Sequence, residues 1–303
     1  MYDLIIIGGG PAGLTSGIYA QRARLKTVLL EREMVGGQIA MSHVIENYPG
    51  FPSISGMELM QKFEEHARGL GLEIRTAGVE DIAVEDRVKV VKTVDGDMRA
   101  KAVIVATGAK PKRIGVAGEK EFLGKGVSYC ATCDGPFFRG RRVVVVGGGD
   151  TAIKEAVYLS KLAEKVYVVH RRDSLRAEKI LQERALSTPN MEFFWSHIMK
   201  EIRGAMGVTG VRLKDLKTND EKEVAAEGVF VLVGINPTTD FVDAEKDGRG
   251  FIKTNDRMET SIPGIYAAGD CRAKPLLQVS TAVGDGAVAA FVAQSYTEDF
   301  DRP

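Results

Sequence analysis

Two glycine-rich loops, Gly8-Gly-Gly10-Pro-Ala-Gly13 and Gly147-Gly-Gly149-Asp-Thr-Ala152, predict an α/β fold for this 303-residue chain. Each loop follows a short apolar run and precedes a helical pattern that ends in a second apolar run. Runs of this kind suit parallel strands buried on both faces of a sheet. A third observation, Cys130-Ala-Thr-Cys133-Asp134 just upstream of the second loop, sets a dithiol between two such units.

Length and composition agree with two domains. A chain of 303 residues can hold two separate cores, and 44% hydrophobic against 27% charged residues is ordinary for a globular protein. The 41 basic and 41 acidic residues cancel, so no global field selects nucleic acid or an anionic membrane as partner. No apolar run approaches the roughly 18 residues needed to span a bilayer. The N-terminal Leu4–Ile7 is short, lacks a basic lead and runs into glycines, which argues for a cytoplasmic chain rather than an exported one. Three cysteines are too few for a secreted disulfide framework, and two of them share a CxxC.

The first unit runs from Leu4–Ile7 through the loop to a helix over Leu14–Arg24, then to Thr27–Leu30 and Glu31. Gly8, Gly10 and Gly13, with Pro11 and Ala12 between them, permit a tight turn and let backbone N–H groups approach a pyrophosphate at the helix N-terminus. Glu31, eighteen residues beyond Gly13, is placed to accept a hydrogen bond from a ribose 2′-hydroxyl. This is a Rossmann-like dinucleotide-binding pattern.

The second unit repeats the order with Val143–Val146, the loop from Gly147 through Gly149, Asp150 and Thr151 to Ala152, a helix to about Ala163, and Val166–Val169. The position of the acid is taken by His170, followed by Arg171, Arg172 and, after Asp173-Ser-Leu, Arg176. A basic run is most often a solvated face. Placed directly after the second strand, without the carboxylate that repels a 2′-phosphate, it points to NADPH instead.

With the nicotinamide assigned to the second loop, the first is assigned FAD. Two later strand ends support this: Ala106-Thr107-Gly108, and Ile265-Tyr-Ala-Ala-Gly269-Asp270, whose Asp270 can carry a carboxylate to a ribityl or pyrophosphate group. The FAD-binding domain is thus built from both chain ends, 1–113 and 246–303, with an NADPH-binding domain, 114–245, inserted between them. The crossings are expected near Pro111–Ile114 and Asp243–Gly250.

Two residues between Cys130 and Cys133 let the sulfurs reach bonding distance, and CxxC settings often lower a thiol pKa. Asp134 beside them can pass a proton as a thiolate leaves. Half of a zinc site is an alternative, but His43, His66, His170 and His197 supply no second half with ligand spacing. Core packing is another, poorly matched to paired thiols beside an acid and a Gly-Pro turn. Cys271 reads as structural, Trp195 as core and His43 as a surface residue. Lys110, Lys112 and Arg113 read as a solvated linker; Arg139, Arg141 and Arg142 flank the second unit's strand and could receive an acidic partner.

These residues together resemble the low-molecular-weight thioredoxin reductases over essentially the whole chain. The likeness rests on GGGPAG, Gly36-Gly37-Gln38, Glu46-Asn47-Tyr-Pro-Gly50, CATCDG, GGGDTA followed by HRRDSLRA, AAGD, and Gln278-Val279. The resemblance implies a homodimer with FAD and NADPH at the two loops and a redox-active CxxC disulfide. It implies that Gly37, Gln38, Asn47 and Thr107 contact the flavin, with Asp270, Gln278 and Val279 closing that site. It implies that Thr151, His170, Arg171, Arg172 and Arg176 hold NADPH, that Cys133 faces the flavin, and that Cys130 attacks a thioredoxin or thioredoxin-like (glutaredoxin-like) partner. Two positions depart from the family pattern: Leu277 where an arginine is usual, and Lys154 where an acid is frequent.

The expected route is therefore NADPH to FAD to the disulfide to a partner disulfide. The disulfide and the nicotinamide loop share the inserted domain, so access of both to one flavin position calls for alternating orientations about the two crossings. The alternatives are a flavin-dependent dithiol oxidase, which needs no NADPH, and a non-catalytic redox-sensing flavoprotein. A ferredoxin-type NADP reductase would not require the CxxC.

Overall fold

In the computed structural model, which describes residues 1–42 and 45–300, the first apolar run is the strand β1 (Tyr2–Ile7). It leads through the first glycine loop into α1 (Pro11–Arg22) and β2 (Thr27–Glu31). Next come α2 (Gly56–Gly69), β3 (Glu73–Thr76), β4 (Val79–Glu85), β5 (Val88–Thr93), β6 (Met98–Val105) and β7 (Ala109–Pro111). The middle of the chain forms β8 (Val127–Ser128), α3 (Ala131–Asp134), β9 (Arg142–Val146), α4 (Asp150–Ser160), β10 (Lys165–His170), α5 (Lys179–Leu186) and β11 (Met191–Trp195). Then follow β12 (His197–Gly204), β13 (Val208–Asp215), β14 (Glu221–Ala225), β15 (Gly228–Val231), β16 (Ile235–Pro237), β17 (Ile265–Ala267) and α6 (Val279–Glu298).

The chain divides into two units, one of residues 1–110 with 236–303 and one of residues 111–235. The chain passes between them within β7 and within β16, and these two strands pair with each other. The return crossing thus lies before the expected 245/246. The reason is local: Thr239 Oγ1 donates to the Gly250 carbonyl (2.8 Å), and Val242, Ala244 and Ile252 pack into the same core as β1 and β6.

In the first unit the sheet order is β3-β2-β1-β6-β5-β4, with β17 also pairing with β6. β3, β2, β1, β6 and β17 run parallel, whereas β5 is antiparallel to both β6 and β4. Side chains of β1 alternate between faces as the two-residue period requires. Leu4 and Ile6 pack with α1 and α6, whereas Ile5 and Ile7 pack with Val242, Ile252 and Cys271. Leu4, Ile5 and Ile6 are fully buried, each contributing roughly 1.5–3 kcal/mol by the usual transfer scale.

The second unit has the sheet order β11-β10-β9-β15-β8, all parallel, and a separate antiparallel sheet β12-β13-β14. Val143 and Val145 face α4, while Val144 and Val146 face the core shared with β12 to β14. Trp195 ends β11 with its ring stacked on Phe193. No helix among the described residues is long and apolar enough to cross a membrane. His43 lies outside the described residues.

One buried group stands out in the first unit. Lys89 is 1% exposed, with Nζ donating to the Arg87 carbonyl and the Tyr296 hydroxyl, both at 2.8 Å. Burial pushes its ammonium below the ordinary lysine value, and the Tyr296 hydroxyl only partly opposes this. A group whose folded pKa is lowered binds fewer protons folded than unfolded, so stability rises with pH between the two values. In urea unfolding of wild type and Lys89→Met from pH 7 to 10, the difference should move in favour of wild type as pH rises; a constant difference would count against a desolvated ammonium.

Candidate active site

The first loop follows β1 because Gly8, at φ +109°, must lie against the Ala106 carbonyl at the end of β6. A Cβ on Gly13 would run into the Gly8 carbonyl, so the start of α1 can press onto the loop only without a side chain. A Cβ on Gly10 would meet nothing within 4 Å, which leaves open space on that side of the turn. Gly10 caps α1 without a side-chain hydrogen bond and Pro11 opens the helix; by contrast Ser55 caps α2 and Gln278 caps α6. The first N–H groups of α1 are therefore available to an anion.

Glu31 ends β2 with Oε2 accepting from the Gly9 N–H (2.7 Å) and Oε1 from the Glu33 N–H (3.0 Å). Both oxygens keep a further lone pair for a hydroxyl donor. Gly37 lies beside Gly10, and exposed Gln38 follows it. Asn47 Nδ2 donates to Gln278 Oε1 (3.0 Å), and Val279 packs with Ala40, Ile45, Ile54 and Met60. The structure thus joins the loops after β2 to the start of α6. Thr107 is turned to the Thr238 carbonyl, to which its hydroxyl donates, and Gly108 adopts φ +65°.

Gly269, at φ +79°, lies against Ala12 of α1, which brings Asp270 to the first loop. Asp270 Oδ1 is buried and makes no hydrogen bond; Lys274 Nζ stands 3.4 Å from it. Burial pushes the carboxyl above its ordinary range, and Lys274 opposes the shift. Asp285 ties this corner together: Oδ2 accepts from the Gly269 N–H and from Lys274 Nζ, both at 3.0 Å, and Oδ1 from Arg272 (3.2 Å). The sequence reading missed Lys274, Arg272 and Asp285. A signal was present, because Asp285 interrupts a stretch, 279–293, otherwise made of small and apolar residues.

The second loop repeats the construction. Gly147, at φ +151°, lies against the Leu232 carbonyl after β15, and Gly149 caps α4 without a side-chain hydrogen bond. Asp150 Oδ1 accepts from the Glu178 N–H (2.8 Å), and the Gly148 carbonyl accepts from the Arg176 N–H (2.8 Å), so the segment after β10 folds back over the loop. Arg171, Arg172 and Arg176 are exposed and have no carboxylate partner among the described residues; Thr151 is also exposed. His170 differs from them. It is 5% exposed with its ring against Gly148, and Nε2 has no partner. Burial, then Arg176, lowers its pKa, so it supports the loop as a neutral ring rather than adding a fourth positive charge.

In the same unit Cys130 and Cys133 form a disulfide with Cα atoms 5.3 Å apart. Cys130 precedes α3 and its Sγ accepts from the Cys133 N–H (3.2 Å), with Thr132 Oγ1 at 3.3 Å. Cys133 is exposed, and Cys130 and Asp134 are half-buried. Cys271, by contrast, is fully buried, its thiol donating to the Val105 and Ala268 carbonyls and pushed up to about 11 by burial.

A sequence profile described as pyridine nucleotide-disulphide oxidoreductase matches residues 2–286. The chain belongs to that family. It is similar to the thioredoxin reductase of Bacillus subtilis, 48% identical over all of this chain and 96% of that one. It is similar to the thioredoxin reductase of Treponema pallidum at 47%, covering 98% and 97% of the two chains. The crystal structure of the Streptococcus pyogenes thioredoxin reductase superposes with a TM-score of 0.95 at 47% identity, covering 99% of each chain.

The family's FAD and NADPH fit this donor set. Open glycine turns, uncapped helix starts and the orphaned Asp270 Oδ1 suit the first loop to a pyrophosphate and hydroxyls. Three unpaired guanidiniums at the second suit a 2′-phosphate. Replacing Arg171, Arg172 and Arg176 together by alanine should raise KM for NADPH at least about tenfold, since a charge-assisted hydrogen bond contributes roughly 1.5–3 kcal/mol. KM for NADH should change less than about twofold. Equal effects on both nucleotides in steady-state assays would remove the guanidiniums from 2′-phosphate recognition.

Proposed function

We propose that the chain is a thioredoxin-disulfide reductase, carrying electrons from NADPH through FAD to Cys130–Cys133 and on to the disulfide of a thioredoxin-like, or glutaredoxin-like, protein. The observation that carries this reading is the closed Cys130–Cys133 bridge, set in the same unit as the second nucleotide loop, in a chain so similar to named thioredoxin reductases. The chemistry FAD supplies when bound is two-electron passage from a nicotinamide to a disulfide.

The chain's own residues bind and orient. Gly8, Gly10, Ala12 and Gly13 receive the flavin nucleotide's pyrophosphate and Glu31 its ribose. Gly37, Gln38, Asn47, Thr107, Gly269, Asp270, Gln278 and Val279 line the rest. Gly147, Gly149, Asp150 and Thr151 hold the pyrophosphate of NADPH. The unpaired guanidiniums favour this reading over a dithiol oxidase, which has no use for a 2′-phosphate.

In the onward step the Cys130 thiolate attacks one sulfur of the partner disulfide, forming a mixed disulfide and releasing a partner thiolate. The Cys133 thiolate then attacks Cys130 Sγ, frees the second partner thiolate and closes the bridge again. Asp134, beside Cys133, passes a proton to a departing thiolate. Hydrogen bonds from the Cys133 N–H and the Thr132 hydroxyl to Cys130 Sγ support a thiolate there.

The enzyme is proposed to act as a cytoplasmic homodimer. In support, α6 exposes Val288 and Phe291, three residues apart and so on one face.

With excess NADPH under anaerobic conditions, flavin absorbance should bleach and an added thioredoxin should become reduced; protein that stays colourless after reconstitution with FAD would overturn the reading. Cys133→Ser should retain bleaching and lose onward transfer by at least about three orders of magnitude, the scale for removing a reacting nucleophile. A cross-link that fixes the two units to each other should leave one half-reaction intact and abolish steady turnover; full turnover would refute alternating orientations.

A further inference from the structure

Glu155 lies on α4, whose neighbours Ala152, Ile153, Ala156 and Leu159 are buried in the core that also takes in Ala131. Its Oε2 accepts from the Ala131 N–H at 2.7 Å, the amide directly after Cys130. Among the described residues no ion pair holds this carboxylate. Burial pushes it above its ordinary value, and the Ala131 amide alone pulls it back. An acid so placed costs stability unless it secures something in return.

What it touches is the turn that carries the disulfide. Cys130 Sγ takes the Cys133 N–H, and Glu155 takes the Ala131 N–H, so two acceptors divide the donors of one short turn. We propose that Glu155 is a positioning residue for the cysteine pair: its carboxylate clamps the turn between the sulfurs and keeps a negative charge beside Cys130. The proposal rests on the reductase reading for its purpose, though not for its measurement.

Other titratable groups around the turn are few. Asp134 ends α3, Lys154 is exposed on α4, and Tyr158 of α4 packs against Gly135. Tyr129, before Cys130, donates to Glu119 (2.9 Å) and is pushed up to about 12 by burial and by that carboxylate. Arg113 acts on Tyr129 in the opposite direction.

Reduction breaks the S–S bond with two electrons and two protons, leaving two thiols; loss of the Cys130 proton gives the attacking thiolate. A carboxylate beside Cys130 disfavours that loss, and so keeps the thiol protonated until a partner is engaged.

The test compares wild type, Glu155→Gln and Glu155→Leu. Iodoacetamide alkylation of Cys130 is followed by mass spectrometry in the reduced full-length protein from pH 6 to 9. The dithiol–disulfide equilibrium against dithiothreitol is measured at pH 6. Glutamine keeps an oxygen for the Ala131 N–H but removes the charge. Its Cys130 should alkylate roughly threefold faster at pH 7, tenfold more thiolate being partly offset by lower nucleophilicity, and its equilibrium at pH 6 should match wild type. Leucine should show the same acceleration and also a shift of about tenfold towards the dithiol, about 30 mV for two electrons. An alkylation profile for Glu155→Gln that overlays wild type overturns the charge effect. A wild-type equilibrium in Glu155→Leu overturns the clamp. A wild-type protein that fails to pass electrons from NADPH to thioredoxin would defeat the reductase reading and leave both thiol measurements standing.

Discussion

Backbone meeting backbone without an intervening Cβ is the constraint on which the structure depends. Gly8 rests on the Ala106 carbonyl at the end of β6, and Gly147 rests on the Leu232 carbonyl after β15. In both units a strand end, a neighbouring strand end and a helix start are drawn together at the carboxyl ends of parallel strands. Those ends are where ligands bind in open α/β sheets. Everything else in each candidate site is hung from this junction, including Glu31 and Asp270 in one unit and the basic segment after β10 in the other.

The two junctions differ in how charge is managed around them. At the first, Lys274 and Arg272 are locked to Asp285, which also takes the Gly269 amide, and Asp270 is held only by its ion pair with Lys274. At the second, positive charge is left exposed and unpaired, and the one ionisable ring that could add to it is buried and held neutral. Closed pairing suits a nucleotide that stays; open charge suits one that comes and goes. The disulfide follows a third scheme, in which an uncompensated acid is fixed by a single amide.

Much of this was legible in the residues. Glycine spacing, the acid at Glu31 and the basic run after Val169 report on backbone geometry and charge, which are local properties, so the two βαβ units and their loops could be read directly. The spacing of Cys130 and Cys133 showed that the two sulfurs can come within bonding reach, and the family resemblance implied the disulfide. The return crossing was not, because the segment 236–252 has no regular period and its attachment depends on Thr239, Val242 and Ile252 finding distant partners. Glu155 and Asp285 were missed since each acts across elements, and a helix reading assigns such acids to solvent. His170 was read as part of a charged cluster; its burial depends on Gly148 having no side chain to keep the ring out.

The pairing of β17 with β6 and of α6 with α1 has a consequence for the newborn chain. The inserted unit is complete once residue 235 has been made, while the outer unit still lacks the strand that covers β6 and the helix that covers α1. On the ribosome, the thiol-bearing unit is therefore free to fold as a finished body, and the flanking half waits with an open sheet edge. A chain cut short anywhere from residue 236 to the start of β17 keeps every strand of the inserted unit and lacks both β17 and α6 of the outer one.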